Sequence, residues 1–140
     1  MSRPTVSPFL AARARRVLRP PLAVDLAVAA TGDEGPSLVV LVVDRRGLLI
    51  AVRELGLGAD DIVEACSTFL RLARFQRRGA AVLVSVDPGF GVDPPAGAEQ
   101  AWHEVRRNFE AHGLQLFDWL VAAGPTVVSV PRTFGEPAAW

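Results

Sequence analysis

The sequence predicts one α/β domain of three layers, with a mixed β-sheet held between helices. Three observations predict it. The chain of 140 residues is one domain's worth. Half of its residues are hydrophobic and 21% are charged, enough apolar material for a core and too much for disorder. Segments dense in Val and Leu alternate with segments whose apolar residues recur every three or four positions, as strands and helices alternate in layered α/β folds.

Residues 1–19 carry five arginines (Arg3, Arg13, Arg15, Arg16, Arg19) and no acid. The pattern is that of a transit peptide. The reading preferred is a short surface helix, started by Ser7 and Pro8 and stopped by Pro20 and Pro21; a basic arm touching a partner is the third reading. Residues 1–21 are therefore set apart from a domain over 22–134, with a tail over 135–140.

Residues 22–30 read as a strand or a short helix. Residues 38–43 and 48–52 form a β-hairpin whose turn uses Gly47. Asp60 caps a helix with Asp61 and Glu64 in its first turn and Arg74, Arg77 and Arg78 in its last, as the helix dipole favours. Its buried face is Ile62, Ala65, Cys66, Phe69, Leu72 and Ala73, and Gly79 stops it. A buried strand over 80–86 then runs into an irregular loop over 87–97, with three prolines and three glycines. A helix over 98–112 buries Ala101, Trp102, Val105 and Phe109, and strands over 114–122 and 127–130 follow. Ligands of open α/β sheets sit beyond the C-terminal ends of strands, so the loop after Val86 is where a site is sought.

Composition narrows the function. Fifteen basic residues, all Arg, balance fifteen acids, so no field of one sign draws in nucleic acid. The excess of Arg over Lys and the abundance of Ala, Gly and Pro point to GC-rich codons and a bacterial source. Cys66 is the one cysteine, which rules out an internal disulfide and a cysteine zinc cluster. No apolar run reaches the ~18 residues of a spanning helix, so a soluble cytoplasmic protein is expected.

The order and spacing of residues 38–131 resemble the RadC-like branch of the JAB/MPN metalloprotease-fold domains. That family has a hairpin, a helix, a strand ending in His-x-His-Pro, a Pro-rich loop, Ser-x-x-Asp opening a helix, a strand with Leu-Asp-His, and a last strand ending in Val-Ser-Phe. The matching stretches are Leu41 to Ile50, Val82-Leu83-Val84-Ser85-Val86-Asp87-Pro88-Gly89, Pro94 to Glu99, Leu116-Phe117-Asp118-Trp119 and Val127-Val128-Ser129-Val130. The resemblance implies a JAB/MPN-like (cytidine-deaminase-like) three-layer fold. It puts the family's two histidine zinc ligands on Ser85 and Asp87, its serine on Ala96, its aspartate ligand on Glu99, its general-base glutamate on Arg53 beside Glu54, and the histidine of its late strand on Trp119.

A catalytic zinc needs about three protein ligands and an open position for water, and imidazoles serve it well. A hydroxyl and carboxylates in their place make a poor oxygen site, so no zinc or other cofactor is expected and the catalytic set is empty. By this resemblance the domain is catalytically silent and binds a protein partner or a second copy of itself, as JAB/MPN domains without the ligands commonly do. The alternative is a divergent metal-dependent hydrolase using Asp87, Glu99 and His103, with Mg²⁺ or Mn²⁺ on oxygen ligands. Glu99 and His103 lie four apart on one helix face, where a metal can be chelated; the preferred reading is an exposed pair beside Glu104, Arg106 and Arg107. Cys66 on an apolar face reads as a core residue. Two further expectations follow: Arg53 reaches Asp87 or Glu99 in the zinc's electrostatic role, and Trp140 packs on its own domain or a second copy.

Overall fold

A computed structural model describes residues 20–31, 36–44, 49–57, 61–73, 79–88, 91, 93–94 and 96–136. The N-terminal Arg-rich stretch before Pro20, Gly47, Asp60, Arg74, Arg77, Arg78 and Trp140 lie outside these residues, and with them the expectations placed there.

The described elements are α1 (Pro20–Thr31), β1 (Ser37–Asp44), β2 (Leu49–Leu57), α2 (Ile62–Ala73), β3 (Gly79–Val86), α3 (Ala98–Ala111), β4 (Leu114–Ala123), β5 (Thr126–Ser129) and the single turn α4 (Val130–Thr133). Five strands make one sheet in the order β2-β1-β3-β4-β5. β1 is antiparallel to β2 and β3, β3 and β4 are parallel, and β4 is antiparallel to β5. The sheet is mixed because only β3 and β4 are joined by a crossover helix, α3; the other neighbours that follow in sequence are joined by hairpins.

Period-two alternation splits the core into two clusters, one on each face. Val39, Leu41 and Val43 of β1, with Val82, Val84 and Val86 of β3, pack under Ala23 and Ala27 of α1. Leu38, Val40 and Val42, with Ala81 and Leu83, pack under Ile62, Cys66, Phe69 and Leu70 of α2 and Trp102, Val105 and Phe109 of α3. Every residue of β1 is buried, as expected of a strand covered by helices on both sides. Three layers result: α1, the sheet, and α2 beside α3. Asn108 of α3 donates to Ser67 Oγ of α2 at 3.1 Å and ties the two helices together.

Several boundaries differ from the sequence reading. Residues 22–30 take the helical one of the two readings offered for them, and Pro20 and Pro21 stand in the first turn of α1, where proline is tolerated. Asp61 makes the capping contact of α2, its Oδ1 accepting from the Glu64 N–H at 3.1 Å. Among the described side chains of α2 the buried ones are 62, 66, 69 and 70, so the apolar stripe runs through Leu70, and Leu72, expected inside, is 77% exposed. Gly79 opens β3: a Cβ there would overlap the carbonyl oxygen of Val43 across the ladder. Val130 begins a helical turn where a strand was expected, because Pro131 removes a ladder donor and suits a first turn.

Candidate functional site

β3 and β4 end together, with Val86 opposite Ala122. Of the residues singled out by the resemblance, Ser85, Asp87 and Trp119 lie near this end, Ala96 and Glu99 lie at the start of α3, and Arg53 and Glu54 lie on the edge strand β2.

Ser85 is opposite Leu38 and shares the α2 and α3 face of the sheet with Leu83. Trp119 joins it there because of a bulge in β4. Ala81 is opposite Leu116 but Val82 is opposite Asp118, so Phe117 is an extra residue. Simple alternation from Leu116 would put Asp118 on the α3 face; the bulge puts Trp119 there, with Val121. The Trp119 indole Nε1–H donates to Ser85 Oγ at 3.0 Å, and both residues are buried. Asp118, 1% exposed, accepts at Oδ1 from its neighbour's N–H (Trp119, 2.8 Å) and from the Ser129 hydroxyl (2.7 Å), which fixes β5 against the bulge.

Asp87 leaves the strand with a φ of 46°, in the left-handed region that Asp tolerates better than most residues. Its N–H donates to the Ala122 carbonyl at 2.7 Å, and its Oδ1 accepts from the Gly124 N–H at 3.2 Å. The carboxylate thus ties the loop after β3 to the turn between β4 and β5. Glu99 is exposed in the first turn of α3, and Ala96 is exposed just before it. The N-cap of α3 is Gly97 at φ 85°, which has no side chain to bond the free N–H groups of the first turn.

Arg53 and Glu54 lie on the edge strand β2 and are exposed. Arg53 is opposite Val40, which is opposite Leu83, so Arg53 stands two strands, roughly 10 Å, and four residues, roughly 13 Å, from Asp87. Among the described residues it forms no ion pair with Asp87 or Glu99, which corrects that expectation: the offset is beyond the reach of a guanidinium. Instead it lines a groove of about 550 Å³ between β2 and α2, with Ile50, Leu55, Thr68, Phe69 and Leu72.

His103 has a different partner from the one the i,i+4 spacing suggested. Its Nε2 is 3.2 Å from Glu136 Oε1, and its Nδ1 is 3.4 Å from Arg106 Nη2. A guanidinium only donates, so Nδ1 accepts and the Nε2–H donates to the carboxylate. Glu136 Oε2 accepts from the Trp102 indole at 3.1 Å and from Arg106 Nη1 at 3.5 Å. The sequence places Glu136 in a tail; it lies 34 residues from Trp102 and 30 from Arg106, and no local spacing signals the contact.

No hydrogen bond or ion pair joins any two of Ser85, Asp87, Glu99 and His103, and among the described residues no three His, Cys, Asp or Glu side chains cluster as metal ligands. The donor set does not fit a zinc ion. Ser85 Oγ is committed to an indole N–H, which is itself no ligand, and Asp87 Oδ1 is committed to the main chain. Cys66 is buried, and desolvation pushes its thiol from 9.0 up to about 12, so it is a core side chain and no nucleophile. No helix among the described residues is long and apolar enough to cross a membrane. In comparison with known proteins, no family model matches the chain and no curated protein matches it.

Proposed function

We propose that the chain is a catalytically silent JAB/MPN-like domain whose work is binding a protein partner. The observation that carries the reading is the Trp119–Ser85 hydrogen bond. Of the three positions that the resemblance assigns to histidines, Ser85 and Trp119 are bonded to each other and buried, and the third, Asp87, is exposed and bonded at Oδ1 to the Gly124 N–H. The order of hairpin, helix, strand, loop, helix, strand, strand, and the survival of Asp118 and Ser129 as a bonded pair, support the family reading. Hydrolysis by such a site depends on a metal-bound water of lowered pKa, and the commitment of Ser85 Oγ and Asp87 Oδ1 to other partners supports the silent reading. The assignment to a binding role is then by analogy with other silent domains of that fold.

The test is turnover of a fluorogenic peptide and an isopeptide-linked substrate by purified protein, with added zinc and with EDTA. The expected result is no EDTA-sensitive turnover. Metal-dependent turnover that co-purifies with the chain and is lost in Asp87→Ala would overturn the reading in favour of a hydrolase.

A further inference from the structure

The three groups that hold Glu136 are all donors. Trp102, His103 and Arg106 stand on adjacent turns of one face of α3, and an indole N–H, an imidazole N–H and a guanidinium converge on the two carboxylate oxygens. Oε1 takes the imidazole and Oε2 takes the other two, so the cradle addresses a planar pair of acceptor oxygens and offers nothing to an amide N–H or a cation. Arg106 also reaches His103 Nδ1 with its second nitrogen, at 3.4 Å, a contact that does not involve the carboxylate.

The segment that fills this cradle is thin. After buried Pro131, Arg132, Thr133 and Gly135 are exposed, and Phe134 and Glu136 are half-buried. Phe134 rests on the edge of the core beside the His103 ring, with centroids 6.3 Å apart. The segment turns on Gly135 at φ 87° and is closed on itself by main-chain bonds from the N–H groups of Phe134, Gly135 and Glu136 back to Pro131 and Arg132. Among the described residues its hold on α3 is one ring and one carboxylate, and the carboxylate's partners His103 and Arg106 are 32% and 39% exposed.

We infer that residues 134–136 are an internal occupant of a carboxylate-binding site on α3, and that when they lift away the site takes an acidic residue of a partner peptide. This rests on the binding role proposed above and names the partner's chemistry: an Asp or Glu side chain following an aromatic one, matching Phe134 and Glu136. A tethered occupant competes at an effective concentration of the order of mM, so the intact chain binds such a peptide weakly and loss of the internal carboxylate exposes the site.

The experiment titrates a blocked peptide with the sequence of residues 133–138, Thr-Phe-Gly-Glu-Pro-Ala, into the full chain, into Glu136→Ala and into Glu136→Gln, the last keeping the side chain's shape if the first impairs folding. The site requires binding at least about ten-fold tighter by a Glu136 variant than by the parent chain, abolished when Arg106→Ala is added and absent for the peptide carrying Gln in place of Glu. Equal binding by parent and variants, or no binding by a variant that keeps the parent's circular dichroism and cooperative unfolding, overturns the inference. Neither outcome touches the turnover test, so failure of the cradle and failure of the silent-domain reading are distinguishable.

Discussion

Trp119 and Ser85 hold each other across two parallel strands, the indole N–H donating to the hydroxyl oxygen at 3.0 Å inside the core. Ser85→Ala leaves a buried indole donor without a partner and should cost about 1–3 kcal/mol. Trp119→Phe strands the hydroxyl instead and also opens space for the lost ring atoms. The double variant removes both polar groups, so its cost should fall short of the sum of the single costs by roughly 1 kcal/mol or more, read from urea unfolding of all four proteins.

Ser37 is the opposite case. It is 5% exposed at the start of β1, and its Oγ has no hydrogen-bond partner among the described residues. An unsatisfied buried hydroxyl is a cost, so Ser37→Ala should leave the stability unchanged or raise it, by up to about 2 kcal/mol. A clear drop in the unfolding midpoint would mean that the hydroxyl is bonded after all.

Gly79 sits where any side chain meets the main chain of Val43. Neither partner can move without breaking the β1–β3 ladder, so Gly79→Ala should lower stability by about 2–3 kcal/mol, at the upper end of overpacking costs. Thermal unfolding monitored by circular dichroism measures it, and a change below about 0.5 kcal/mol would refute the close approach.

Cys66 gives a pH dependence with a definite sign. Its thiol keeps its proton to about pH 12 when folded but ionises near 9.0 when unfolded, so the folded state binds more protons across that window. Its contribution is fully present below pH 9 and is lost as the pH rises from about 9 towards 12. At pH 8 the thiol should react with a disulfide reagent only on unfolding. Cys66→Ala should flatten the alkaline fall in stability.

Most of the fold was legible because its signals are local. The all-apolar run of β1, the glycines and prolines of the loop after β3 and the periodic faces of α2 and α3 each sit within a dozen residues. Leu72 misled because Leu70 and Leu72 both fit an apolar pattern, and only packing against the sheet decides which one turns inward. The bulge at Phe117 left no mark either, and it decides which face Trp119 takes. At the site, the resemblance singled out residues but did not say where they go. Arg53 was expected beside Asp87 on the strength of alignment alone, whereas the strand order sets them two strands apart. Glu136 was invisible for the same reason: its partners lie across the fold.

The central proposal, that the buried Trp119–Ser85 hydrogen bond commits a position the resemblance gives to a zinc ligand, is tested most directly by the zinc content of the chain. Protein purified with and without added zinc, then dialysed against metal-free buffer, is to be measured for metal per chain, with the Trp119 indole N–H followed in parallel by NMR. The expected result is far less than one equivalent of zinc and an indole signal that is protected from exchange and unmoved by zinc. One equivalent of tightly held zinc that shifts or unprotects that signal would contradict it.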